Sequence, residues 1–130
     1  METKTECLLF AVCDKDRDEN EIVSRYLSEF HKDKGKQVEI HRFFDTEEII
    51  NSFRRQSDYA AMFIGMNSME EVDTAWILRR LAPKCALVIV SDCGDYGLEG
   101  YRLEAFDYWL RPLDENKANE TLTRLKLSKH

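Results

Sequence analysis

Short apolar runs recur along the chain at intervals that suit the strands of a parallel sheet. Three of them are uninterrupted and cover residues 7–13, 60–64 and 86–90. Their short length and β-branched content favour strands buried on both faces. A weaker, more polar run around Val38, Ile40 and Phe43 predicts an edge strand, and the short run 108–110 predicts a fifth strand.

Amphipathic segments lie between these runs. Apolar side chains recur at helical spacing in five stretches, which span residues 22–30, 49–53, 69–76, 98–101 and 118–125. Asp45 precedes the second stretch and Asp114 the fifth, so both are expected to cap helix N-termini. Five strand–helix units predict one α/β domain over residues 1–130. The expected architecture is a flavodoxin-like (βα)5 three-layer sandwich, with a parallel five-stranded sheet in the order 2-1-3-4-5.

Composition and charge narrow the classes of function. The 130 residues are 34% charged and 43% hydrophobic, with a formal net charge of −6. Most of such a surface repels a phosphate backbone, so we expect no nucleic-acid binding by this domain. No apolar run is long enough to cross a membrane and the N-terminus lacks a signal-peptide core, which predicts a cytoplasmic protein without membrane contact.

The cysteines and histidines give no sign of a metal centre. The four cysteines form no Cys-x-x-Cys pair, so we expect reduced thiols, with a zinc site or a disulfide as the alternative. His31, His41 and His130 are scattered along the chain and are expected at the surface.

The residues that follow the predicted strands are where a functional site would gather. In a doubly wound sheet these positions meet at the carboxyl edge, around the switch point. They are residues 14–16, 65–67 and 91–93, with Arg111 and Pro112 after the last strand. The proline cannot continue a strand, so it predicts a tight turn that directs Arg111 towards the edge of the sheet. No glycine-rich fingerprint, catalytic triad or metal-ligand cluster accompanies these positions, and we expect the protein not to be an enzyme.

The end of the chain carries a resemblance to a known family. The run Glu104-Ala-Phe-Asp-Tyr-Trp-Leu-Arg-Pro112 closely resembles the last strand of response regulator receiver domains, above all the LytTR-type group, which ends in Ala-Phe-Asp-Tyr-Leu-Leu-Lys-Pro. Upstream, Gly94-Asp-Tyr-Gly-Leu-Glu99 resembles the family's Asp-Glu-Tyr-Ala-Leu-Glu. The resemblance extends from Leu8 to about Leu125 and implies the CheY-like receiver fold.

Carried over to this chain, the resemblance implies a degenerate phosphorylation site. A receiver is phosphorylated on an aspartate after strand three, with Mg²⁺, a hydroxyl after strand four and a lysine after strand five. Asp14 and Ser91 keep the family's residue types. Lys15 replaces the second acid after strand one, Gly65 replaces the acceptor and Arg111 replaces the lysine. We therefore expect a relic pocket without catalytic residues, weak or absent Mg²⁺ binding and no other cofactor.

The two cations indicate how such a pocket is held together. Lys15 is expected to pair with Asp14, while Arg111 reaches the same pocket and donates to a carboxylate or a backbone carbonyl. The alternative is a Lys15 side chain that points into solvent. Fixed charges would lock the domain in one conformation, or leave it to be switched by something other than phosphate.

The function implied by the resemblance is that of a pseudo-receiver in two-component signal transduction. It would dimerise or contact a protein partner through the face of helix four, strand five and helix five. Tyr101, Arg102 and Tyr108 are the candidates there, and Tyr108 matches the family's switch aromatic. The chain would be the N-terminal part of a transcription regulator with an attached LytTR-type DNA-binding domain, or a stand-alone protein. The alternatives are a phosphorelay acceptor with an unconventional site, and a flavodoxin-like small-molecule binder or enzyme.

Overall fold

The computed structural model describes residues 6–125, over which five parallel strands alternate with five helices. The strands are β1 (Glu6–Cys13), β2 (Lys36–Phe43), β3 (Ala61–Gly65), β4 (Ala86–Ser91) and β5 (Asp107–Leu110). The helices are α1 (Arg17–His31), α2 (Thr46–Arg55), α3 (Met69–Leu81), α4 (Gly97–Arg102) and α5 (Glu115–Leu125). The sheet order is β2-β1-β3-β4-β5, which confirms the predicted flavodoxin-like order and the edge position of β2.

Helices cover both faces of the sheet and give the predicted three-layer sandwich. On one face, α1 and α5 bury Leu27 and Leu122 against the strands. On the other, α2 and α3 bury Phe53 and Leu78. β3 is buried along its whole length, as its uninterrupted apolar run predicts. Within residues 6–125, every helix falls short of the length and apolar content that a membrane crossing requires.

The last strand divides its two aromatic side chains between the two cores, as strand alternation predicts. Trp109 is 2% exposed and packs against Phe63, with ring centroids 5.4 Å apart. Its Nε1 donates to the Thr121 hydroxyl at 2.9 Å, which fastens α5 to the sheet. Tyr108 packs into the opposite core, near Gly100 of α4.

Aspartate side chains cap the N-termini of three helices, α1, α2 and α5, at the carboxyl edge of the sheet. Asp16 accepts hydrogen bonds from two backbone N–H groups in the first turn of α1. Asp45 caps α2 in the same way, as predicted, and Asp114 accepts a backbone N–H at the start of α5. Each cap fixes the loop before its helix, so the residues that follow the strands are held in place. The Arg111–Pro112 peptide bond at this edge is cis.

The expected surface position is wrong for His31. Its side chain is 4% exposed, its Nδ1 lies 2.8 Å from the Leu27 carbonyl oxygen, and its ring lies 5.4 Å from that of Phe10. His31 follows Leu27 by four residues and therefore lies on the same buried face of α1. His41 is half-buried in β2, and His130 lies outside the described residues.

The four cysteines are free thiols in the structure. Cys13 and Cys85 are buried, and burial raises the pKa of each thiol to about 12. These two groups therefore stay protonated and behave as small apolar side chains of the core.

We expect acid to destabilise the fold through His31. Burial lowers the pKa of His31 below its ordinary value of 6.5, so the unfolded chain takes up the proton first as the pH falls. The contribution of the neutral His31 ring to the free energy of unfolding is therefore complete above pH 6.5, and it is lost as the pH falls through the lowered pKa. Urea unfolding at about pH 8 and about pH 5 measures the decrease in the free energy of unfolding. This decrease should be smaller in His31→Leu than in the wild type. Equal losses in the two proteins would contradict the expectation.

Candidate functional site

Arg111 lies at the centre of an ion-pair cluster at the carboxyl edge of the sheet. Its guanidinium donates to the Asp14 carboxylate from Nη2, to Glu19 from Nε at 3.0 Å and to Asp92 from Nη1 at 3.1 Å. The Arg111 side chain is 10% exposed. One guanidinium thus joins the end of β1, the first turn of α1 and the β4–α4 loop. The prediction that Arg111 reaches the pocket and donates to a carboxylate is confirmed.

Asp14 is held from two sides. It follows β1 directly and is 7% exposed. Its Oδ2 accepts from Arg111, and its Oδ1 accepts from the Asp16 backbone N–H at 3.0 Å. Burial raises the pKa of Asp14, and the Asp16 N–H and Arg111 oppose that rise. For Arg111, burial acts to lower the pKa, but the neighbouring carboxylates reverse this and raise it. Each charge of the pair would be costly in this position without the other.

The Asp14 carboxylate fills the space in front of Gly65, the position where the family resemblance places the acceptor aspartate. A Cβ atom on Gly65 would lie 2.7 Å from Asp14 Oδ2 and 2.8 Å from its Cγ. Both distances are shorter than real Cβ contacts allow. The absence of a side chain at the end of β3 is therefore what lets Asp14 and Arg111 meet.

Ser91 ends β4 and is fully buried, at 0% exposure. Its hydroxyl donates to Asn67 Oδ1 at 3.1 Å and accepts the Cys93 backbone N–H at 3.3 Å. Asn67 Oδ1 also accepts the Asp92 backbone N–H at 3.0 Å. The hydroxyl that the resemblance assigns to phosphoryl binding thus has its acceptor within the chain.

The predicted Lys15–Asp14 pair is wrong. The Lys15 ammonium lies 3.2 Å from Glu70 Oε1 and 4.0 Å from Glu71 Oε2, at the start of α3. The Lys15 side chain is 54% exposed, so the bridge to Glu70 is a weak surface pair. Lys15 connects the β1–α1 loop to α3 and leaves the centre of the pocket to Arg111.

Four further side chains shape the site, although the sequence singled out none of them as a pocket residue: Glu19, Asn67, Glu71 and Asp92. Glu71 is 9% exposed and accepts the Asn67 backbone N–H at 2.6 Å and the Ser68 hydroxyl at 3.3 Å. The spacing Ser68-x-x-Glu71 is that of a capping box and could have revealed this residue. Asn67 and Asp92 follow strands three and four, but nothing in their residue type indicates which groups they bind.

Tyr101 and Tyr108 line a second hollow, a groove of about 490 Å³ between α4 and β5. Tyr101 is 82% exposed, and Arg102 beside it is also exposed. The Tyr108 hydroxyl donates to the Cys93 backbone carbonyl at 2.7 Å. Large apolar side chains are exposed on and around these two elements, namely Leu98, Tyr101, Phe106 and Leu110.

The side chains of the pocket do not suit Mg²⁺, the ion that the receiver resemblance implies. Mg²⁺ requires several oxygen ligands in near-octahedral geometry. Both Asp14 oxygens already accept hydrogen bonds, Gly65 supplies no carboxylate, and the Arg111 guanidinium lies against Asp14. Over residues 6–125, no group of three or more His, Cys, Asp or Glu side chains is arranged to hold a metal ion.

Comparison with known proteins adds relatives in sequence and in fold. No protein-family model matches the chain. It is 29% identical over 92 residues to the transcriptional regulatory protein YpdB of Escherichia coli K12. The aligned region covers 69% of this chain and 38% of YpdB. It is 25% identical over 113 residues to the sensory transduction protein LytT of Bacillus anthracis. This aligned region covers 85% of this chain and 46% of LytT. The response regulatory domain of MrkE from Klebsiella pneumoniae matches the structure with a TM-score of 0.78 at 22% identity, covering 91% of this chain and 94% of that domain.

The fold is the one that response regulator receiver domains have, as the resemblance predicts, and the chain is similar in sequence to regulatory proteins that include YpdB and LytT. The chain spans less than half the length of either of these curated relatives.

We expect Gly65→Ala to destabilise the domain by about 1–3 kcal/mol, because its methyl group would overlap the pinned Asp14 carboxylate. Gly97→Ala is the matched control, since a Cβ there meets nothing within 4 Å. It should be neutral or slightly stabilising. Urea unfolding measures both variants, and a Gly65→Ala protein as stable as Gly97→Ala would show that Asp14 does not occupy this space firmly.

Proposed function

We propose that the chain is a degenerate receiver, a signal-transduction and protein-interaction module that is not phosphorylated at the usual position. The observation that carries the proposal is the occupied space at Gly65. Where the family resemblance calls for an acceptor aspartate, the chain has a glycine whose Cβ position lies 2.7 Å from the Asp14 carboxylate. That carboxylate forms an ion pair with the Arg111 guanidinium.

Phosphoryl transfer needs a nucleophilic carboxylate with room for in-line attack and with positive charge around the transferred group. Gly65 supplies no nucleophile. Asp16 is engaged in capping α1, and Asp73 is exposed on α3, away from the strand ends. The pocket is lined by five carboxylates against the two cations Lys15 and Arg111, so its charge disfavours an incoming phosphate. The five are Asp14, Asp16, Glu19, Glu71 and Asp92.

A partner-binding role rests on the face of α4, β5 and α5. Tyr101 is 82% exposed, Leu98 57% and Leu110 53%, and the groove between α4 and β5 lies among these elements. Exposed apolar side chains gathered around a groove are typical of protein contact sites. The domain would act there by contacting a protein or a second copy of itself, without catalysing a reaction. In a longer regulator of the LytT or YpdB kind, it would control an attached LytTR-type DNA-binding domain.

We expect the wild-type protein to gain no phosphoryl group from acetyl phosphate with Mg²⁺. Intact-mass spectrometry checks the covalent state, and titration of Mg²⁺ with beryllofluoride, followed by the fluorescence of Trp109, checks non-covalent binding. Neither should change, because the acceptor is missing and Asp14 is paired with Arg111. A phosphorylated aspartate would support the phosphorelay alternative. A small molecule retained through purification would support a ligand-binding role.

Restoring the three altered positions together should restore phosphorylation. We expect Lys15→Asp/Gly65→Asp/Arg111→Lys to accept a phosphoryl group from acetyl phosphate with Mg²⁺. Gly65→Asp alone should not, because Asp14 and Arg111 still occupy the space it needs. The matched control carries Gly65→Asn in the triple background, which keeps the size of the side chain but removes the nucleophile. Phosphorylation of Gly65→Asp alone, or a folded triple variant that stays unmodified, would contradict this account.

A further inference from the structure

The Asn67 side chain binds the end of β4, although the family resemblance assigns no role to this position. Its amide oxygen accepts both the Ser91 hydroxyl at 3.1 Å and the Asp92 backbone N–H at 3.0 Å. Asn67 is itself exposed, but Ser91 is fully buried, so Asn67 is the acceptor that satisfies a hydroxyl removed from water. The Asn67 backbone N–H donates to Glu71 Oε1 at 2.6 Å, which ties this acceptor to the start of α3.

From Ser91 the contacts continue towards the groove. The Ser91 hydroxyl accepts the Cys93 backbone N–H at 3.3 Å, and the Cys93 carbonyl accepts the Tyr108 hydroxyl at 2.7 Å. Tyr108 lines the groove between α4 and β5 together with Gly100 and Tyr101. Gly100 packs tightly there, since a Cβ on it would lie 3.0 Å from Ile89 Cδ1 and 3.6 Å from Tyr108 Cδ2. A connected series of hydrogen bonds therefore runs from the start of α3 to the partner-binding face.

We propose that Asn67 is a positioning residue. Its amide oxygen acts through Ser91 to hold the β4–α4 loop and α4 in one conformation against Tyr108, and this requires no anion in the pocket. The inference rests on the proposed function, because it explains how a receiver that is not phosphorylated maintains the conformation of its α4–β5–α5 face. The internal amide oxygen supplies the acceptor that the Ser91 hydroxyl would otherwise seek in a bound group. The α4–β5 groove is then a constant feature of the domain.

Amide hydrogen exchange followed by NMR tests this on the whole chain, with no phosphoryl donor present. The reporter is the Gly100 amide, which is buried and donates to the Tyr96 carbonyl at 2.9 Å, so no substituted group binds it directly. Asn67→Ala should accelerate its exchange about fivefold or more, the effect of losing one hydrogen bond. Tyr108→Phe should act in the same direction, and Asn116→Ala, at an exposed asparagine of α5, should leave the rate unchanged.

A double-substitution cycle separates positioning from general loosening. If Asn67 acts through Ser91, the double variant Asn67→Ala/Ser91→Ala should exchange no faster at Gly100 than the faster single variant. Effects that multiply, an unchanged rate in Asn67→Ala, or an equal acceleration of β3 amides would each overturn the inference. The proposed function fails separately, through phosphorylation of the wild-type protein, and that result does not alter the exchange rates.

Discussion

The pocket depends on the ion pair between Arg111 and Asp14, whose side chains are 10% and 8% exposed. Two charges withdrawn from water are stable only if their attraction and further hydrogen bonds offset the loss of hydration. Arg111 meets that condition with Glu19 and Asp92, and Asp14 with the Asp16 backbone N–H. Because these partners come from α1, the β4–α4 loop and the β1–α1 loop, the pair also holds three segments around the end of β5. Removing either member would leave the other buried and unpaired.

Gly65 and Arg111 are two parts of one arrangement. The carboxylate of Asp14 lies within 2.8 Å of the Cβ position of Gly65, and Arg111 is what holds it there. A receiver with an aspartate at this position would need Asp14 to withdraw, and a withdrawn Asp14 would lose its partner. The glycine and the arginine therefore support each other, and a single reversion at either position conflicts with the residue that remains. Arg111 thus supplies this edge of the sheet with a permanent positive charge.

The strands, their order and the carboxyl-edge residues were predictable because uninterrupted apolar runs and strand–helix alternation leave few topologies open. Asp14 and Arg111 each directly follow a strand and come together as expected, and Ser91 is the last residue of the neighbouring β4. Partner choice was not predictable for Lys15, whose long side chain reaches Glu70 across sequence-distant loops. The exposure of the apolar side chains of α4 was also not predictable from their spacing. Leu98 and Tyr101 mark a helix by their spacing, yet they are 57% and 82% exposed, because one side of this short helix is left uncovered by the described residues.

The pocket and the groove both border the β4–α4 loop, which contributes Asp92 to the pocket and Gly94 to the groove. Arg111 and Tyr108 are three residues apart at the end of β5, and both bind the β4–α4 loop, one through Asp92 and the other through the Cys93 carbonyl. A change of charge in the pocket would act on the loop through the first contact and reach the groove through the second. With the charge permanently supplied by Arg111, both contacts are satisfied at once. Regulation of the groove would then have to come from whatever binds it, because the buried Asp14 carboxylate already has a permanent cation as its partner.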